Sequence, residues 1–137
     1  MIKGNNTMTV PALVENLNDV LDFIDEKMEE IGIGAKSQYS IRVSVEELFV
    51  NIAHYAYPNG EGDVTITIST KPGEFIVEIK DSGIPYNPLE KADPDISLSI
   101  DKRKIGGLGI YMVKNMMDSV NYTYQNGQNI MTIMKKA

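Results

Sequence analysis

Apolar residues between positions 12 and 31 return at intervals of three and four: Val14, Leu17, Val20, Leu21, Ile24, Met28 and Ile31. That spacing puts them on one face of an α-helix. The pattern predicts a helix from about Ala12 to Ile31, stopped by Gly32 and Gly34. Ahead of it, Met8–Val10 reads as a short strand closed by Pro11. A second helix is predicted from about Ser37 to Tyr57, ending before Pro58-Asn59-Gly60. Its apolar stripe is Ile41, Val45, Leu48, Ile52 and Ala56, while Glu47 and Asn51 share a different face, one turn apart.

The period then changes from helical to alternating. Val64, Ile66 and Ile68 alternate with Thr65, Thr67 and Ser69, and after Lys71-Pro72-Gly73-Glu74 the residues Phe75, Val77 and Ile79 alternate with Ile76, Glu78 and Lys80. This is the signature of an antiparallel hairpin with one buried face. Asp81-Ser82-Gly83-Ile84-Pro85 follows directly at the strand end. From Tyr86 to Lys104 no period holds, and a loop of that length inside a small domain points to function. Gly106-Gly107-Leu108-Gly109 opens a helix from roughly Ile110 to Met117. Val120, Tyr122 and Tyr124 then alternate up to Asn126-Gly127, a hairpin signal, and Ile130–Met134 returns. The predicted fold class is α/β in the broad sense, more strictly α+β: a two-layer sandwich of helices on a mixed, mostly antiparallel sheet.

Composition narrows the functional classes. The 137 residues suffice for one domain, 1–137, and not for two. No apolar run is long enough to span a membrane, and Met1–Asn6 turns polar at once, unlike a signal peptide, so a cytoplasmic protein is expected. With no cysteine, disulfides, thiol catalysis and Cys-based zinc sites are excluded. The net charge of −6, with no Lys/Arg stripe along a helix, argues against nucleic acid as a partner. A small polyphosphate stays open, because it is held by local charge and backbone amides.

Four features could carry chemistry, and each alone has an ordinary explanation. Glu47 and Asn51 suit a solvated helix face, or a carboxylate base beside an amide oxygen able to hold Mg2+. Asp81-Ser82-Gly83 suits a plain turn, or an acceptor for an adenine amino group with Gly83 letting the base approach. Gly106-Gly107-Leu108-Gly109 suits a hinge, or a helix N-terminus whose free amides face phosphate oxygens. It matches neither the Rossmann nor the Walker A pattern. Lys102-Arg103-Lys104 suits a solvated charge cluster as well as a phosphate contact. His54 is the only histidine, which rules out a multi-histidine metal site, and it is assigned no role. The eight methionines are core filler, although Met116-Met117 could line a partner surface.

In this order the four features resemble the ATP-binding domain of the gyrase, chaperone, histidine-kinase and mismatch-repair (GHKL) superfamily, the Bergerat fold. Val45–Asn51 resembles its N box, Asp81–Pro85 its first glycine box and Gly106–Gly109 its second, so the likeness spans nearly the whole chain. Within the superfamily, Asp81–Pro88 and Gly106–Ile110 running into Met116-Met117-Asp118 are most similar to the stand-alone serine/threonine kinase anti-sigma factors. The resemblance implies Glu47 as general base and Asn51 as Mg2+ ligand. It implies an ATP-binding set of Asn51, Asp81, Gly83, Tyr86, Lys104, Gly106, Gly107, Leu108 and Gly109, with Asp81 as adenine anchor, Gly107 and Gly109 on the phosphates, and Tyr86–Lys104 as lid. One departure is that many of those kinases place a histidine four positions after the N-box asparagine, where this chain has Tyr55.

A sensor histidine kinase would need a phosphoacceptor helix pair that the short segment before Ala12 does not hold, and gyrase-like and chaperone ATPases need coupling domains. The expected activity is Mg-ATP-dependent phosphorylation of a small anti-sigma-antagonist-like protein, with a sigma factor as a second partner and a homodimer admitted. The alternative is a non-catalytic ATP-binding module that sequesters a protein partner.

Overall fold

The computed structural model describes residues 5–58, 60–90 and 107–137. Five strands, β1 (Thr7–Pro11), β2 (Asp63–Lys71), β3 (Glu74–Asp81), β4 (Ser119–Gln125) and β5 (Gln128–Lys136), form one sheet in the order β1-β2-β3-β5-β4. Every pairing in it is antiparallel, so no parallel ladder enters the sheet among the described residues. Among the described residues three α-helices, α1 (Leu17–Ile31), α2 (Ala35–Tyr55) and α3 (Gly107–Met116), make the second layer. This is an α+β sandwich.

Alternation decides which sheet face is covered. Val64, Ile66, Ile68, Phe75, Val77, Ile79, Met131 and Ile133 are buried, and they interlock with Val20, Ile24 and Met28 of α1 and with Ile41, Val45, Leu48 and Phe49 of α2. Phe49 and Phe75, both 0 % exposed, are the largest side chains fully enclosed there. The intervening residues, among them Thr65, Thr67, Glu78, Lys80 and Thr132, are only partly covered. Asn126 and Gly127 have φ of 55° and 77°, the two left-handed residues of a tight hairpin turn between β4 and β5.

Helix boundaries differ from the periodicity in instructive ways. The first helix starts at Leu17, not Ala12, because the Ala12 N–H donates to the Gly62 carbonyl at 2.8 Å and Leu13 is extended (φ −123°, ψ 139°). Tying this segment to the start of β2 leaves room only for a 3-10 turn, Val14–Asn16, before α1. The second helix begins two residues early, at Ala35, and ends at Tyr55. Beyond that end the Ala56 carbonyl accepts from the Ile84 N–H at 2.9 Å, and the Tyr57 hydroxyl donates to the Asp63 carbonyl and accepts from the Ser82 N–H, each at 2.7 Å. These bonds bring the turn after β3 against the C-terminal end of α2. The third helix starts at Gly107, within the glycine run.

Candidate functional site

Where β3 leaves the sheet, its last residue faces a cavity of about 500 Å3 under the C-terminal half of α2. Leu48, Ile52, Ala56, Ile84, Pro88 and Met131 supply apolar walls, and Asn51, Asp81 and Asn129 supply polar groups. Tyr55, Tyr86 and Tyr122 add aromatic surface. A mostly apolar pocket with a few convergent polar groups suits a flat heteroaromatic ligand.

Asp81 is only 5 % exposed. Its Oδ1 accepts from the Gly83 N–H at 2.9 Å and from Asn129 Nδ2 at 3.0 Å. Both bonds fall on one carboxylate oxygen, so among the described residues Oδ2 is left to accept from a ligand. Gly83 itself does not line the cavity. A Cβ there would overlap the Ala56 carbonyl, so the missing side chain is what lets this turn close onto α2.

Asn51 reaches the cavity wall from α2, one turn beyond Glu47. Glu47 lies outside the cavity and is partly covered by α3: its Oε2 packs so closely against Gly109 that any Cβ at that position would collide with it. Burial, and then the neighbouring charge of Glu46, push the Glu47 carboxyl above its ordinary value of 4.5. A carboxylate with a raised pKa is a stronger base, which suits it to proton abstraction.

The predicted set therefore separates into groups. Asn51, Asp81 and Tyr86 line one cavity; Glu47 and Gly109 meet beside it; Gly83 stands behind Asp81. Gly107 and Leu108 are the first residues of α3, while Lys104, Gly106 and residues 91–104 of the predicted lid lie outside the described residues. Sequence reasoning missed Asn129 and Tyr122. Asn129 falls in step with the buried Met131 and Ile133, and a polar residue on that face of β5 was the available signal. The lone histidine, His54, is on the cavity rim with its ring edge-on to Tyr55, centroids 6.0 Å apart.

Among the described residues no three His, Cys, Asp or Glu side chains form a metal cage. The Asn51 amide oxygen on the cavity wall is a hard donor of the kind that fits Mg2+ carried with a polyphosphate, which needs only one or two protein oxygens. No helix among the described residues is long and apolar enough to cross a membrane.

Residues 10–135 match the family model described as histidine kinase-like ATPase domain. The chain is similar to the serine/threonine-protein kinase BtrW of Bordetella bronchiseptica, 21% identical over 134 residues that cover 97% of this chain and 94% of that one. It is 26% identical to the anti-sigma F factor of Clostridium acetobutylicum, covering 94% of this chain and 80% of that protein. Among solved structures, one of the RsbU and RsbW domains of a Mycobacterium tuberculosis protein superposes with a TM-score of 0.63 at 14% identity, over 96% of this chain and 32% of that one. The histidine kinase AdeS of Acinetobacter baumannii superposes with a TM-score of 0.54, also at 14% identity, over 94% of this chain and 67% of that one. With the two-layer fold and a buried Asp81 facing the cavity, the match over residues 10–135 shows that the chain belongs to the histidine kinase-like ATPase domain family.

Proposed function

We propose that the chain is a single cytoplasmic domain that binds Mg-ATP and transfers its γ-phosphate to a serine or threonine of a small anti-sigma-antagonist-like protein. The observation that carries the nucleotide part is the buried Asp81 carboxylate, which lines a mostly apolar cavity and has both of its hydrogen bonds from Gly83 and Asn129 on one oxygen. A 6-amino purine edge supplies the donor that the other oxygen lacks. The kinase part is supported by the relatives, a serine/threonine-protein kinase and an anti-sigma factor.

Each residue then has a role. Asp81 accepts from the adenine amino group, and Tyr86 forms part of the base-binding wall. Asn51 holds the Mg2+, which when bound neutralises phosphate charge. Glu47, its basicity raised by burial, takes the proton of the acceptor hydroxyl. Gly107 and Gly109, in the first turn of α3, contribute backbone amides to the phosphate oxygens, a role supported by their position at a helix N-terminus.

Titration with Mg-ATP, alongside Asp81→Asn, tests the first part: saturable binding is expected for the wild type and its loss for the variant. Incubation of [γ-32P]ATP with a cognate partner tests the second, and Glu47→Gln should keep ATP binding while label transfer stops. A partner that binds in an ATP-dependent way and is never labelled would make the domain a sequestering module instead.

A further inference from the structure

Ser44 is fully buried in α2, and among the described residues its hydroxyl has no hydrogen-bond partner. Ser40, one turn earlier, shows the ordinary outcome for a serine inside a helix: its hydroxyl donates to the Lys36 carbonyl four residues back, at 3.3 Å. Ser44 does not take that bond. A buried hydroxyl with an idle proton is less favourable than a methyl group in the same space, because it has given up water without replacing it. A use for that proton would explain why serine stands there.

The surroundings supply an acceptor. Ser40, Ser44, Glu47 and Asn51 recur at intervals of four, three and four, which makes them one polar stripe along α2. Gly109 of α3 meets this stripe at Glu47 Oε2. At the other end of α3 the Met116 carbonyl accepts from Lys135 Nζ at 2.8 Å, and Ser37 Oγ of α2 donates to the adjoining Lys136 carbonyl at 3.0 Å. The two helices therefore run antiparallel, and α3 passes from Glu47 back over the turn that holds Ser44. A long side chain on a helix leans toward the N-terminus, over the residues three and four before it. The Glu47 carboxylate thus leans toward Ser44, and an ionised carboxylate accepts what a hydroxyl donates.

We infer that Ser44 is a positioning residue for Glu47: by side-chain rotation alone its hydroxyl donates to the ionised carboxylate and holds it beside Gly109. The inference deepens the assignment of Glu47 as base and rests on that reading for its catalytic meaning. A base has to be ionised before it can take a proton, and burial works against that. A donor one turn away offsets the penalty and fixes the direction of the carboxylate. Among the described charges, Glu46 opposes ionisation, Arg42 is paired with Asp25 of α1, and Tyr111 and Lys114 lie on other sides of α3 from Gly109.

The test reads Glu47 directly and needs neither ATP nor a partner. Protein carrying glutamate labelled with 13C at the side-chain carboxyl is titrated by NMR, and the Glu47 resonance is the one missing from Glu47→Gln. Ser44→Ala should raise the Glu47 midpoint by about half to one pH unit, which makes it a roughly three- to tenfold weaker acid. Ser44→Cys, a weaker donor of similar size, should raise it less. Urea unfolding gives a second readout. Removing an idle hydroxyl would stabilise equally at about pH 4 and about pH 8, whereas removing a partner of the carboxylate should give a gain at the lower pH that shrinks or reverses at the higher. That difference should vanish in the Glu47→Gln background.

An unchanged Glu47 midpoint in folded Ser44→Ala would overturn the inference and leave Ser44 a small residue that lets α3 pack closely. Label transfer that survives Glu47→Gln would instead remove the base role, a separate result, with the midpoint still deciding the contact.

Discussion

Glu47 illustrates how one side chain couples stability to chemistry. Its carboxyl is raised above 4.5 by burial first and by Glu46 second. A raised acid holds its proton more tightly in the folded state than in the unfolded one. Its contribution to stability is therefore fully present below the unfolded value and is lost as pH rises through the folded one. Glu47→Gln should match the wild type in urea unfolding at about pH 4 and be more stable than it at about pH 8. Equal midpoints at both pH values would mean that the charged carboxylate is not penalised in place. The same variant is expected to lose phosphate transfer, so a gain in stability with a loss of activity is the signature of a strained functional group.

At the scale of elements, α2 and α3 meet through a carboxylate and a glycine. Elsewhere in a helix, replacing glycine by alanine stabilises by about 1 kcal/mol. At Gly109 the added methyl would meet the Glu47 carboxylate, the far end of a flexible side chain that has to turn aside, so part of that gain is offset. Gly109→Ala should therefore stabilise by less than that or leave stability unchanged, and should lower label transfer more than ATP affinity because it displaces the base. The full rise in melting temperature with full transfer would show that α3 can shift away at no cost. The hairpin at Asn126-Gly127 is a contrasting case, in which turn chemistry sets the geometry locally and no neighbour is needed.

At the scale of the molecule, the helix layer and the sheet share one core, with Phe49 of α2 fully enclosed within it. Phe49→Ala should cost about 3–5 kcal/mol, a large part of the roughly 5–15 kcal/mol that a domain of this kind has in total. The denaturant midpoint should fall accordingly, and saturating Mg-ATP should restore part of the loss by binding only the folded state. A loss under about 1 kcal/mol would indicate that the helix layer repacks over the gap.

Local chemistry determined much of this protein. Helical and alternating periods located the first two helices and the strands of both hairpins, because each face must be apolar where it is buried, and the glycine run marked the third helix. Turn residues and glycine runs marked the ends. Asp81, Glu47 and Asn51 were legible only as an ordered set, since Asp-Ser-Gly alone suits a plain turn and two polar residues one helical turn apart suit a solvated face. Tertiary structure decided the rest, since it depends on residues distant in the chain. The Ala12–Gly62 bond cut the first helix short, a contact across 50 positions that no local pattern carries. The reason for glycine at position 83 is the Ala56 carbonyl, and at position 109 the Glu47 carboxylate. Asn129 gained its place from the β3–β5 register, which sets it beside Asp81 across an intervening helix and hairpin strand. A side chain whose place is set by its hydrogen-bond partners can be recognised only once those partners have been brought to it.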